Sequence, residues 1–193
     1  MSGLAWGFKS DANRIARELR EELGLQSASP LDPWALAEHL GIPVVPLSEF
    51  RAAAPKAVER LMRGARSVFS AVTVFDGLKR LIVVNDSHSR ERQASSLAHE
   101  LAHSLLMHEQ TAAFDEPGVR RWDATQEAEA NWLAGALLAS DEAAMAIARQ
   151  GLRVWEAARL YGVSVEMMRF RLNVSGAKKR VERAARWNRP RSS

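Results

Sequence analysis

The chain has 193 residues, 47% hydrophobic and 26% charged, which supplies one sizeable core and excludes disorder over most of its length. It has no cysteine, so disulfides, thiolate metal ligands and a cysteine nucleophile are excluded; this fits a reducing compartment, and the cytoplasm is the expected location. The net charge of +4 is concentrated late in the chain, where Lys178, Lys179, Arg180, Arg183, Arg186, Arg189 and Arg191 face one acid, Glu182. Such a run can bind nucleic acid or an acidic protein surface, but the expectation is a solvated terminus.

The opening Met1–Asp11 lacks a basic start followed by an apolar run, so no signal peptide is expected. Nor is any apolar stretch long enough to span a bilayer, and no membrane partner is expected. From Ser10 to Leu23, the apolar residues Ala12, Ile15, Ala16, Leu19 and Leu23 recur at helical spacing, and Gly24 stands where the helix would stop. Gln26 to Ser29 reads as loop. Asp32-Pro33 starts the next helix, with Asp32 as cap and Pro33 at the first helical position; it ends near Gly41. Val44, Val45 and Leu47 suggest a short strand.

Val68 to Phe75 and Leu81 to Val84 are β-rich, and Asp76-Gly77 between them supports a hairpin. Asn85 to Ser89 is a polar loop whose last residue is a plausible cap for a helix over 90–107, although Arg92 replaces the Glu or Gln of a full capping box. A further helix fits Ala124 to Ala139. Beyond Ser140 the pattern stays helical, broken at Gly151, Gly162 and Gly176. Helices, a hairpin and more helices predict an α+β fold with a small sheet packed on helices, and not a parallel βαβ arrangement.

The helix over 90–107 carries His99-Glu100-Leu101-Ala102-His103. Residues four apart on a helix lie about 40° apart around the axis and about 6 Å along it, so both imidazoles can reach one ion. Zinc accepts neutral imidazole nitrogen without a strong geometric demand. Glu100, between them, is the residue that takes the proton from the attacking water and returns it to the leaving amine. Ala94, Leu97, Ala98, Leu101 and Leu105 form one apolar stripe, and the two histidines fall roughly opposite it. This predicts one face anchored in a core and the other open to a cleft. His39 reads as structural and His88 as solvated. His108, at the end of the helix, suits the helix dipole, with a role in substrate binding as the less favoured reading.

A catalytic zinc takes three protein ligands and keeps one position open. Asp115, Glu116, Asp123, Glu127 and Glu129 are all candidates for the third. Glu127 has the best context. It lies on a small-residue helix able to pack closely on another, with Asn131 one turn later on the same face, where an amide could hold a ligand in place. Glu129 projects about 200° away from Glu127 on that helix.

Three stretches together resemble the ImmA/IrrE family of metallo-endopeptidases. They are Ile82-Val-Val-Asn-Asp-Ser-His-Ser leading into the His99–His103 motif; Glu127-Ala-Glu-Ala-Asn131-Trp-Leu-Ala-Gly-Ala-Leu-Leu; and Tyr161-Gly-Val-Ser-Val-Glu-Met-Met-Arg-Phe-Arg-Leu172. The resemblance spans roughly Asp32 to Gly176. With the helix breaks and the charge run above, it divides the chain into a zincin-like domain over 1–140, a C-terminal helical segment over 141–176 that is helix-turn-helix-like, and a basic tail over 177–193. It also implies one zinc per chain at His99, His103 and Glu127, Glu100 as general base, and a protein substrate, typically a helix-turn-helix repressor whose cleavage relieves repression. The family often has Met-Pro after Leu-Leu, where this chain has Ala139-Ser140, which implies a changed helix exit.

The competing reading is a DNA-binding regulator that uses residues 153–172 as helix, turn and helix, with Arg169, Arg171 and the basic tail near phosphates. A recognition helix beginning Val-Glu-Met-Met offers little to base edges at its N-terminal end, so nucleic acid is not favoured as a partner.

Overall fold

A computed structural model describes residues 4–63, 69–76, 79–108 and 123–187. In chain order these form α1 (Phe8–Glu22), α2 (Pro33–His39), β1 (Val44–Pro46), a 3-10 helix (Leu47–Arg51), α3 (Pro55–Met62), β2 (Ala71–Asp76), β3 (Lys79–Val84), α4 (Arg90–Leu105), α5 (Ala124–Leu138), α6 (Asp141–Gln150), α7 (Val154–Tyr161), α8 (Val165–Ser175) and α9 (Ala177–Trp187). The architecture is α+β.

The anticipated caps are present. Asp32 accepts from Trp34 N–H at 3.0 Å with Pro33 at the first helical position, and Ser89 accepts from Arg92 N–H at 3.4 Å. The hairpin pairs antiparallel from Ala71↔Val84 to Asp76↔Lys79, while its turn at 77–78 and Val68 lie outside the described residues.

Two features differ from expectation. The 3-10 helix and α3 were not anticipated, because α3 is short and buries Val58 alone. β1 pairs parallel with β3, Val44↔Ile82 through Pro46↔Val84, so the sheet is mixed with order β1-β3-β2. The central strand β3 shows the period of two. Ile82 and Val84 enter the main core, while Val83 joins Leu47 and Val58 in a small cluster on the other face.

α4 packs against β2 and β3 and against α5. Its stripe of Ala94, Leu97, Ala98 and Leu101 is buried as predicted, but Ala102, His103 and Ser104 are buried too. Ala102 and Ser104 flank the stripe; on the opposite face His103 is buried, while Arg92, Ser95, Ser96 and His99 stay partly exposed. α5 is buried almost all round from Trp132 to Leu138, which its small residues permit. One core cluster runs from Phe8 of α1 through Leu101, Leu133, Ile147, Ala158 and Leu172 to Ala177 of α9.

The exit of α5 is held by two buried arginines. The last carbonyls of a helix lack intrahelical partners and must find donors elsewhere. Arg20 of α1 donates to Ala136 O at 3.3 Å and Leu137 O at 2.6 Å; Arg171 of α8 donates from Nε to Ala139 O at 2.6 Å and from Nη2 to Asn13 Oδ1 at 3.3 Å. Burial pushes both guanidinium groups down to about 10, so both remain charged at neutral pH. Ser140 completes the changed exit. Its hydroxyl donates to Ser27 O at 2.5 Å and accepts from Ala143 N–H at 2.9 Å, capping α6.

Arg171 also lies over the Trp132 ring, 4.9 Å from its centroid. The expectation that Arg171 reaches a phosphate is thereby corrected: it is an internal cap. Arg169 is exposed. The basic run begins as α9, which packs on α6 with Ala177 buried and Arg180 bonded to Asp141.

Candidate metal centre

The site is assembled where α4 crosses α5. Two side chains orient these helices. Asn85, fully buried, donates from Nδ2 to Leu61 O at 3.2 Å and Phe69 O at 2.9 Å, and its Oδ1 accepts from Ser87 N–H at 3.1 Å and Ser87 hydroxyl at 2.6 Å. This ties the end of β3 to the start of β2 and fixes where α4 begins. Asp123 caps α5 by accepting from Thr125 and Gln126 N–H at 2.8 and 3.2 Å, an assignment that makes it a cap and not a ligand.

His99, His103 and Glu127 converge. His99 Nε2 and His103 Nε2 are 3.0 Å apart, and Glu127 presents Oε2 at 3.2 Å from His99 Nε2 and Oε1 at 3.7 Å from His103 Nε2. Atoms bound at 2.0–2.1 Å to a tetrahedral ion stand about 3.3 Å apart, so these separations bracket the spacing a zinc needs. Two imidazole nitrogens and a carboxylate are also the donor types such an ion takes. The three residues could hold a metal ion.

Glu100 is buried beside them. Its Oε2 accepts two hydrogen bonds from Thr73 of the edge strand β2, from the backbone N–H at 3.0 Å and the hydroxyl at 2.7 Å. One carboxylate oxygen is thus held, which restricts the rotation of the group.

His103 turns its other nitrogen away from the cluster. Its Nδ1 lies 3.0 Å from His108 Nδ1, and His108 Nε2 lies 3.3 Å from Glu129 Oε2. The sequence offered Glu129 as one candidate third ligand and His108 as a less favoured substrate contact; their link to Nδ1 of His103 was not anticipated. The available signal was a third histidine five residues beyond His103 and a second glutamate two beyond Glu127.

His99, Glu100 and Glu127 open on a cleft of about 910 Å³. Its walls are the start of β2, the N-terminal half of α4, α5 at Asn131, and α7 and α8 at Trp155, Arg159, Ser164 and Glu166. Asn131 shares the face of Glu127 but is exposed to the cleft, and among the described residues it makes no hydrogen bond to Glu127 or the histidines. His39 is exposed and pairs with Glu22 at 2.6 Å. His88, expected in solvent, is only 9% exposed, and among the described residues neither ring nitrogen has a hydrogen-bond partner. Burial, with Arg92 nearby, lowers its proton affinity. Asp115 and Glu116 lie outside the described residues.

Fold and site together define a small α+β domain built around a helix-borne His-Glu-x-x-His motif and a carboxylate from the neighbouring helix. Compared with known protein families, residues 37–173 match the IrrE N-terminal-like domain, Peptidase_M78, and the chain belongs to this peptidase family, the one to which ImmA and IrrE belong. Searches of curated proteins and of solved structures return no match. Among the described residues no helix is long and apolar enough to cross a membrane.

Proposed function

We propose that the chain is a zinc-dependent endopeptidase acting in the cytoplasm on a protein substrate. The observation that carries the reading is the convergence of His99 Nε2, His103 Nε2 and the Glu127 carboxylate beside a held Glu100, with His99, Glu100 and Glu127 lining one cleft. These three residues would hold one zinc per chain. Zinc there supplies Lewis-acid polarisation of the scissile carbonyl and of the attacking water.

The remaining steps belong to the chain. Thr73 fixes Oε2 of Glu100, which reserves Oε1 for proton traffic. Glu100 takes a proton from the attacking water as the new carbon–oxygen bond forms, and gives it to the amide nitrogen as the carbon–nitrogen bond breaks. Asn131, Trp155 and Arg159 line the path of a bound polypeptide, and we assign Asn131 to substrate contact, not to the support of a ligand.

The family resemblance supports a helix-turn-helix repressor as substrate, with cleavage relieving repression under stress or in mobile elements. DNA binding through α7 and α8 has less support. Arg171 is internal, and the first turn of α8, Val165–Met167, faces the same cleft as His99.

The test is to incubate zinc-loaded protein with the helix-turn-helix repressor encoded nearest to it and follow cleavage by mass spectrometry. Wild type should cleave at one or a few bonds. Glu100→Gln, which keeps the shape but cannot carry the proton, should retain zinc and lose at least about a hundredfold in rate. A fully active Glu100→Gln protein would contradict the mechanism.

A further inference from the structure

His103, His108 and Glu129 form a chain of three hydrogen-bonding groups, of which the proposed chemistry uses only Nε2 of His103. We propose that His108 and Glu129 are positioning residues that fix the ring orientation and tautomer of His103 and so set the affinity of the centre for its metal. The inference rests on the reading of His99, His103 and Glu127 as metal ligands.

Nε2 of His103 points into the cluster, 3.0 Å from His99 Nε2, and a metal ligand must offer a lone pair there. The ring hydrogen of neutral His103 is then on Nδ1, which donates to His108 Nδ1 at 3.0 Å. His108 accepts at Nδ1, so its own hydrogen is on Nε2, directed at Glu129 Oε2 at 3.3 Å. Every tautomer in the chain follows from the first. A carboxylate at the far end favours this direction, because it accepts and cannot donate. Helix α5 therefore serves the centre twice: Glu127 directly, and Glu129, half a turn away around the axis, through two imidazoles.

The backbone is shaped to close this contact. At the end of α4, Met107 N–H donates to Ser104 O at 3.3 Å and His108 N–H to His103 O at 3.1 Å, the pair of bonds that reverses a chain at a helix C-terminus. That reversal needs a left-handed residue, and Met107 supplies it with φ 50°. Glycine is usual at this position because it carries no Cβ. Here an 87% exposed methionine takes the conformation, and the residue after it is brought back under the helix to the ring of His103. Side-chain exposure of only 8% for His108 and 14% for Glu129 keeps water from competing for the same hydrogens.

The test uses full-length protein and zinc alone, with affinity measured by competition against a chromogenic chelator and folding checked by circular dichroism. His108→Phe keeps a ring but removes the acceptor, and should weaken zinc binding by about 10–100-fold. His108→Asn retains an acceptor near the position of Nδ1 and should recover most of that loss. Glu129→Leu should weaken binding by about tenfold. Should His108→Phe fail to fold, His108→Asn and Glu129→Leu carry the decision, with Asn expected to bind more tightly than Leu. Affinities within about twofold of wild type for both His108→Phe and Glu129→Leu would overturn the inference. Equal losses in His108→Phe and His108→Asn would do the same, because the acceptor would then be irrelevant. Wild type that takes up no zinc would overturn the metal reading itself, a result distinct from either.

Discussion

At the scale of single residues, His88 separates local sequence character from tertiary environment. Its neighbours Asp86, Ser87 and Ser89 make the loop polar, yet the ring is buried and, among the described residues, both nitrogens lack a hydrogen-bond partner. Burial first and Arg92 second lower its proton affinity in the folded state. The unfolded chain therefore binds the proton more readily. His88 costs nothing extra above the ordinary histidine pKa of about 6.5, and stability falls as pH drops below it, until the folded-state value is passed. Replacing the ring with an apolar side chain of similar size removes this penalty and breaks no hydrogen bond. His88→Leu should thus match or exceed wild type in melting temperature at pH 7 and lose less of it on going to pH 5.5. A parallel acid-induced loss in both proteins, measured by thermal melts across that range, would show that another group is responsible.

The residues at the site itself were legible to different degrees. His99, Glu100 and His103 lie within one and a half turns, so helical geometry alone places them together. Glu127 required a second helix packed on the first, and only its small-residue context and the family resemblance singled it out. His108 and Glu129 depend on a left-handed turn at Met107 that nothing in the local residue types announces, since glycine is the usual occupant.

At the scale of elements, α5 is the part on which the site turns. Asp123 caps its start, Glu127 and Glu129 stand on its first turns, and Arg20 and Arg171 hold its end. The caps at Asp32 and Ser89 could be read because a cap and its helix are adjacent in sequence. The arginine caps could not, since Arg20 reaches carbonyls 116 and 117 residues away. The parallel pairing of β1 with β3 was missed for the same reason: alternation identifies a strand but does not choose its partner.

Arg169 and Arg171 look alike in sequence and part company here. Arg171→Ala leaves a cavity, frees Ala139 O of its donor and removes the contact with Trp132. These losses exceed the relief of no longer burying a charge, and the variant should lose on the order of 2–4 kcal/mol. Arg169→Ala, at an exposed position, should stay within about 0.5 kcal/mol of wild type. Urea denaturation of both variants checks the contrast, and equal stabilities would contradict the assignment of Arg171 as an internal cap.

At the scale of the whole molecule, one core joins the metal helix to the C-terminal helices, and the cleft is walled by both. The basic run is part of this arrangement at its start. Ala177 is buried, Val181 is half-buried, and Arg180 bonds to Asp141 of α6, while most of α9 beyond is exposed. Truncation after Gly176 should therefore cost about 1–2 kcal/mol, seen as a fall in melting temperature of about 3–6 °C, and leave zinc content unchanged. No change in melting temperature would mean that α9 is only an appendage.

The proposed activity depends on three side chains from two helices meeting at one ion. Zinc per chain, determined by elemental analysis on purified wild type and on Glu127→Ala, tests this most directly. Wild type should carry one zinc per chain and Glu127→Ala well below half of that under the same dialysis, because two imidazoles alone hold the ion weakly. Unchanged zinc in Glu127→Ala, or none in wild type, would contradict it.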